Sequence, residues 1–557
     1  MAERDAASRR RFLGQLGTGA AALWAGIAPG NAAQTAPAGT DTFEPDVALE
    51  LIAEPRRLSL RPGPATLAWT YRAHVVKGDP ATVQELPQGY LGPILRVRRG
   101  QKLRVDFMNR LDEPSIVHWH GLHLPDSMDG HPRFAIGPGE RFRYQFEVKN
   151  RAGTYWYHPH PHGRTGAQVY FGLAGLLLVS DDEEQALPLP RGEFDLPIVI
   201  QDRTFGDDNQ FRYLGGARPA AARGEATEAP PASGRATGGG TMGGGTMGGR
   251  GMMSGDMMAR MTGFLGDTIL VNGRPNPSLE VAAHPYRLRI LNGSNSRIYR
   301  LAWHDGRPLT VIATDGGLLE RPVQKDYVVL APAERVELWA DLSQDRVGTE
   351  LTMLSLAFDG SMGPMMDRMG GGSMGRMMAS STLAAGARFS IFTVKVVRKA
   401  NGSLELPERL SSIRWPLLED AVNRTKPRTF RLTMERMQWG INRRVFEMTA
   451  VAPDEVVKLD STEVWEFVND SGMMTMAHPM HVHDQQFRVL ERRRGPVSES
   501  VRDGFVDQGW KDTVLLMPGD RVKLLLRFED YPGLYLYHCH MLEHEDSGLM
   551  RNYRVEA

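Results

Sequence analysis

Cys539 is the only cysteine in 557 residues, and it stands in the stretch YHCHMLEHED (537–546), flanked by His538 and His540 with His544 five residues on. A single cysteine forms no intramolecular disulfide. A free thiol usually packs as a small hydrophobe, but three neighbouring histidines argue for metal ligation. Two imidazoles, one thiolate and a weak axial position make a blue-copper electron-transfer site. At least one histidine then has to come from elsewhere in the chain.

The candidates come in pairs. HWHG contains His118 and His120, HPHPHG contains His158, His160 and His162, and HPMHVH contains His478, His481 and His483. With His538 and His540 these form four H-x-H pairs, two near each end of the chain. In a strand, residues i and i+2 point to the same face, so each pair aims two imidazoles at one point. Eight converging imidazoles suffice for two three-coordinate coppers and one two-coordinate copper, and imidazole suits copper well. On the same strand Cys539 faces away from its neighbours. It can therefore hold one copper while His538 and His540 hold others, with the backbone between as an electron bridge.

Strands must position these pairs. Runs such as ILRVRRGQKLRVDFMNRL, ERFRYQFEV, YRLRILNGS, ERVELWADL and RVKLLLRFE alternate apolar and polar residues. That period predicts half-buried strands, and many short strands with turn signals predict β-sandwiches. An alternating strand ending in N-R-L, N-G-S or N-D-S occurs around Asn109, Asn292 and Asn469. Three related all-β domains are expected, at about 45–185, 190–398 and 425–557. Two Gly- and Met-rich stretches interrupt the second, at 215–262 and 361–378, and the first of them is expected to be a mobile linker or insertion. Residues 241–261 and 353–378 hold 15 of the 28 methionines, which needs an explanation beyond core filling.

With 66 basic and 66 acidic residues the formal charge is zero, which gives no sign of a nucleic-acid partner. Ser8-Arg9-Arg10-Arg11-Phe12-Leu13, a short Ala/Gly-rich apolar stretch and small residues near Ala32 and Ala33 resemble a twin-arginine export signal over residues 1–35. The stretch is too short and too weakly apolar for a membrane span. That route exports folded proteins, so a periplasmic chain that closes around its cofactor first is expected.

The four motifs, in this order, resemble the multicopper oxidase family over nearly the whole mature chain. The resemblance implies three consecutive cupredoxin-like Greek-key β-sandwich domains and four copper ions. It also implies one-electron oxidation of a substrate coupled to four-electron reduction of dioxygen to water. His478, Cys539 and His544 match the blue-copper ligands. His118 and His481 match those of the single copper of the three-copper cluster. His120, His158, His160, His483, His538 and His540 match those of its coupled pair. His162 lies just outside the family pair and reads as a supporting or structural residue. Asp129 resembles the carboxylate that orients water near the cluster. Glu545 resembles a proton donor to the reducing oxygen.

Within the family the likeness is greatest to bacterial copper efflux oxidases, which oxidise Cu(I) in the periplasm. SMGPMMDRMG resembles their methionine-rich substrate segment, and thioethers select Cu(I). By that match Met362, Asp367 and Met476 bind the substrate copper. The family's acid two residues before Met476 is here Met474. A laccase-like oxidase of phenols and aromatic amines is the alternative. A copper-sequestering or structural envelope protein is a third reading, from another class. A monomer is expected. Relatives with an axial methionine carry it ten residues after the cysteine, where this chain has Leu549 with Met550 next. Unbroken spacing from Cys539 to His544 favours Leu549 as a non-ligand facing the blue copper.

Overall fold

The computed structural model describes residues 43–86, 89–219, 255–275, 277–359, 382–402, 404–470 and 476–557. Strands from six sheets pair off into three sandwiches. The first uses strands between residues 47 and 180, the second between 195 and 399, and the third between 428 and 556. Each sandwich repeats the same two parallel pairings, one per sheet. In one sheet, Val47–Leu58 runs parallel to Lys102–Asn109, Asp195–Phe205 to Pro285–Asn292, and Arg428–Glu435 to Thr462–Val468. In the other, Ile94–Arg98 runs parallel to Gly175–Ser180, Ser278–Ala283 to Phe389–Lys399, and Val456–Lys458 to Met550–Glu556. The remaining ladders are mostly antiparallel, and parallel partners need crossover connections between the sheets. The result is three Greek-key sandwiches in series, each with its own apolar core.

Asn109, Asn292 and Asn469 explain the repeat at atomic level. All three are buried at a strand end. The Asn109 amide donates to the carbonyls of Glu113 and Ile136, that of Asn292 to Arg297 and Leu330, and that of Asn469 to Met476 and Leu516. Each Asn backbone N–H bonds the carbonyl of an acid: Glu140, Glu334 or Asp520. Each acid's carboxylate in turn accepts from the amide three residues before it, at Gly137, Ala331 and Met517. These partners sit in the turns PGE, PAE and PGD, which the strand pattern alone did not single out. Buried polar groups are retained where every donor is matched, so the same knot recurs in all three sandwiches.

Two expectations need correction. YRLRILNGS and ERVELWADL do not form half-exposed strands. All of Pro285–Asn292 is buried, and so is Arg335–Asp341 apart from Asp341. The polar face packs against the first domain, and its charges are paired: Arg287 with Glu184 and Glu337, Arg289 with Asp195 and Glu337. Pairing is what makes buried charge tolerable. The 215–262 stretch is not a linker throughout, because Gly255–Thr262 forms a helix with Ala259 and Met261 buried. Among the described residues no helix is long and apolar enough to cross a membrane. The leader residues and Met362, Asp367 and Met474 lie outside the described residues.

Candidate metal centre

Two strand pairs bring the histidines together. Val117–His120 runs antiparallel to Gly153–Pro159 with His118 opposite His158. His478–Val482 runs antiparallel to Gly533–Cys539 with His481 opposite His538. The first pair belongs to the first sandwich and the second to the third, and their histidines interleave. His120 stacks on His481 and His118 on His483, each with ring centres 3.8 Å apart. Nε2 of His118 lies 3.4 Å from Nε2 of His481. Nε2 of His538 lies 3.0 Å from that of His483 and 3.4 Å from that of His160. The His540 ring centre is 5.1 Å from that of His120 and 5.3 Å from that of His158. All eight are essentially inaccessible to solvent.

The outward nitrogens are fixed by acceptors. Nδ1–H of His118 donates to the Asp129 carbonyl at 2.6 Å, that of His481 to the Asp512 carbonyl at 2.8 Å, and that of His158 to the Pro159 carbonyl at 2.9 Å. Nδ1 of His483 is 2.7 Å from Oδ2 of Asp129. These bonds place the proton on the outer nitrogen and leave Nε2 as the inward lone pair. His120 is reversed. Its Nε2 lies 3.1 Å from Oδ1 of Asp512 and 3.3 Å from Thr513 Oγ1, so its free lone pair is on Nδ1. Glu545 lies between the two motifs, 3.5 Å from Nε2 of His160 and 3.1 Å from Nδ1 of His538.

A separate trio sits on the other face of the Gly533–Cys539 strand. Sγ of Cys539 is 3.4 Å from Nδ1 of His478 and 3.7 Å from Nδ1 of His544, and those nitrogens are 3.3 Å apart. His544 comes from the helix Leu542–Asp546, and the Trp439 ring lies 4.7 Å from His478 and 4.8 Å from His544. Leu549 shares the apolar cluster of Cys539, Met476 and Met541, whereas Met550 packs with Phe446 and Leu536. Met476 is buried and lines a small cavity with Met541, Phe358 and Thr262. His162 is exposed, 5.0 Å from the Phe446 ring and apart from the cluster.

The donor set fits copper on its own chemistry. Burial, reinforced by neighbouring imidazoles, pushes His120, His158, His160, His478, His481, His483 and His540 well below the ordinary histidine pKa, and burial takes His544 down to about 4. Neutral rings present lone pairs at neutral pH. Buried ring nitrogens without a protein hydrogen bond include His120 Nδ1, His158 Nε2 and both nitrogens of His540. Orphaned buried acceptors are costly, and cations held among these rings satisfy one nitrogen of each of His120, His158 and His540. Burial pushes the Cys539 thiol well up, and a coordinated cation reverses that, since a coordinating thiol is deprotonated.

Family models described as multicopper oxidase match residues 69–184 and 421–557, within the two sandwiches that carry the H-x-H pairs. The chain is 31% identical over 533 residues to a laccase of Bacillus stratosphericus, covering 88% of this chain and 90% of that protein. It is 32% identical over 502 residues to the cell division protein FtsP of Sodalis glossinidius, covering 86% of each. The crystal structure of the McoA multicopper oxidase from Aquifex aeolicus matches with a TM-score of 0.71 and 31% identity, over 92% of this chain and 97% of that one. The chain belongs to the multicopper oxidase family. It is an oxidoreductase, and the family implies copper.

The sequence motifs of this multicopper oxidase did not reveal Asp512, Thr513 or Arg335. Asp512 bonds His120, and its backbone carbonyl accepts from His481. Its carboxylate is held by both terminal nitrogens of Arg335, at 2.8 and 2.5 Å. Arg335 comes from the second sandwich and is fully buried. The middle domain thus steadies a site to which it gives no imidazole. KDTV carries no signature of that role, since acids usually sit solvated. Arg335, between Glu334 and Val336, carries no signal either, because the alternation of its strand reads as a solvent face.

Proposed function

We propose that this enzyme oxidises Cu(I) to Cu(II) with dioxygen as acceptor: four Cu(I), one O2 and four protons give four Cu(II) and two waters. Four resident coppers serve that stoichiometry. His478, Cys539 and His544 hold the blue one and His118 with His481 the single cluster copper. His160, His483 and His538 hold one member of the coupled pair, and His120, His158 and His540 the other. Bound copper supplies reversible one-electron chemistry, which these side chains lack. Cys539 links the two regions covalently, because its neighbours His538 and His540 belong to the cluster. Asp129, holding Nδ1 of His483, orients that ring and stands near the protons that oxygen reduction consumes. Glu545 stands close to both His160 and His538 and is placed to pass a proton inward.

The observation that carries the Cu(I) reading is the cavity lined by Met476, Met541, Phe358 and Thr262. Two of its walls adjoin the methionine-rich stretches: Thr262 directly follows 241–261, and Phe358 precedes 361–378 by three residues. Met541 N–H meets Sγ of Cys539 at 3.4 Å. The methionines of that cavity, Met476 and Met541, are soft donors that suit Cu(I), and the family likeness adds Met362, Asp367 and Met474 to Met476 as the substrate-copper residues. The substitution Met362→Ser with Met476→Ser is expected to raise the KM for Cu(I) several-fold and spare a small aromatic reductant. Equal losses on both would overturn a dedicated Cu(I) site. Likeness to a laccase supports a second reading, in which phenols and aromatic amines are the main reductants. The signal-like leader supports twin-arginine export to the periplasm, where Cu(I) oxidation confers copper tolerance.

A further inference from the structure

A cleft of about 1030 Å3 lies between the first sandwich, the third sandwich and the segment 412–420 that joins the second to the third. That volume stands at the upper end of small-molecule pockets, about 300–1,000 Å3. None of the proposed copper ligands lines it, so the chemistry already described does not account for it.

Its charge is balanced. Six acidic side chains line it, and six basic ones with His123 counted. Most are matched within the wall: Arg151 with Glu183 at 3.2 Å, Lys149 with Asp530 at 3.0 Å, and His123 with Asp484 at 2.8 Å. Two buried polar atoms on lining residues, Arg151 Nη1 and Thr462 Oγ1, have no hydrogen-bond partner, and such orphans are costly. Trp415 and Trp510 supply an aromatic part. Their ring centres are 4.6 Å apart, and the Arg488 guanidinium lies 5.2 Å from the Trp415 ring. The pair is therefore held in place, yet both indoles stay only half-buried, and neither Nε1 bonds another described residue. Beside them Leu417 is 58% exposed.

We propose that this cleft binds a neutral oligosaccharide. A pyranose ring has an apolar face of C–H groups that packs on an indole, and Trp adds a polar N–H at its edge. Each sugar hydroxyl donates once and accepts twice. One ligand can therefore meet the indole N–H groups and Arg151 as an acceptor, and the wall's carboxylates as a donor. The planar fork of Arg151 suits two neighbouring oxygens. Ionic ligands fit less well. Glu147 and Asp420 have no ion pair among the described residues and hold off a polyanion, while Arg99 and Arg414, likewise unpaired, hold off a polycation. The volume suits several rings in line. Bound there, the saccharide touches the first and third sandwiches at once, the two that supply every H-x-H pair, and so fastens them together. The proposal stands whichever reductant feeds the enzyme.

The test is titration calorimetry of the copper-loaded full chain with chitotetraose and cellotetraose, and with hexaglutamate and hexalysine as charged probes. The expected result is saturable binding of at least one tetrasaccharide, one per chain. Its affinity holds in about 0.5 M salt, because a neutral ligand is not screened. Trp415→Ala weakens it about tenfold or more. Arg151→Lys keeps the charge but loses the fork, and weakens it several-fold. The bound sugar raises the melting temperature of the wild type and not that of Trp415→Ala. The thiolate-to-copper band and the melting temperature without sugar show whether each variant is folded; if Arg151→Lys melts early, Trp415→Ala decides alone. No saturable heat with either sugar overturns the proposal. So does undiminished affinity in Trp415→Ala, or tighter binding of a charged peptide that fades with salt.

Discussion

Cys539 is the one thiol of the chain and stands between two buried imidazoles. A strand turns its thiol toward His478 and His544 while His538 and His540 face the cluster. Serine supplies neither a thiolate nor its electron path, so Cys539→Ser is expected to lose the blue absorption and oxidase activity while staying folded. A retained thiolate band in that variant would contradict the ligand assignment. The axial position is a finer matter. Leu549 packs in the cluster of Cys539, whereas Met550 points to Phe446 and Leu536, as neighbours on an extended chain should. A weak sulfur donor stabilises Cu(II), so Leu549→Met is expected to lower the blue-copper potential and Met550→Leu to leave it nearly unchanged. Redox titration of both variants checks this; a shift in Met550→Leu alone would mean that Met550 is the ligand.

Short elements distribute the chemistry. In the helix Leu542–Asp546, Glu543 bonds the second sandwich, His544 faces Cys539, Glu545 faces the cluster, and Asp546 accepts from the Thr165 and Gly166 amides of the first sandwich. The H-x-H strands were readable because a period of two dictates direction. The strand Arg335–Asp341 was not, because its alternation looks like a solvent face and only three-dimensional packing reveals that Arg335 is buried under Asp512. The same blindness covered Arg287 and Arg289. Asp512→Asn removes the carboxylate that both Arg335 and His120 use. The expected cost is about 1–3 kcal/mol in the copper-free protein, because Arg335 loses its nearer carboxylate and keeps the ion pair with Asp315 at 3.7 Å. Cluster copper affinity should fall about 10–100-fold, as for lost outer partners of metal ligands. Chemical unfolding and copper retention against a chelator measure the two effects; a variant matching wild type in both would show the network to be idle.

At the scale of the molecule, the repeated Asn knots announced three sandwiches, whereas the contacts that lock them together carry no local pattern. His123 illustrates one. Its Nδ1 lies 2.8 Å from Asp484 and its Nε2 3.0 Å from Asp530, joining the first sandwich to the third. Burial opposes its charge, but the two carboxylates outweigh burial and push its pKa up to about 9. A folded-state pKa above the unfolded value of about 6.5 means stability that is complete below pH 6.5 and lost as pH rises through about 9. With the ring one-fifth exposed, the loss is on the order of 2–3 kcal/mol. The melting temperature of copper-free protein should decline over that window, and His123→Gln should flatten the decline. An unchanged slope in the variant would remove His123 as its source. The central claim concerns the whole enzyme, since electrons enter in one part and oxygen is reduced in another. Its most direct measurement is oxygen uptake by copper-loaded protein given a known amount of Cu(I), with hydrogen peroxide assayed in parallel. The expected result is one O2 consumed per four Cu(I), no accumulated peroxide, and no uptake by Cys539→Ser above the rate of Cu(I) in buffer alone. Uptake at that buffer rate in the wild type, or one peroxide formed per two Cu(I), would contradict it.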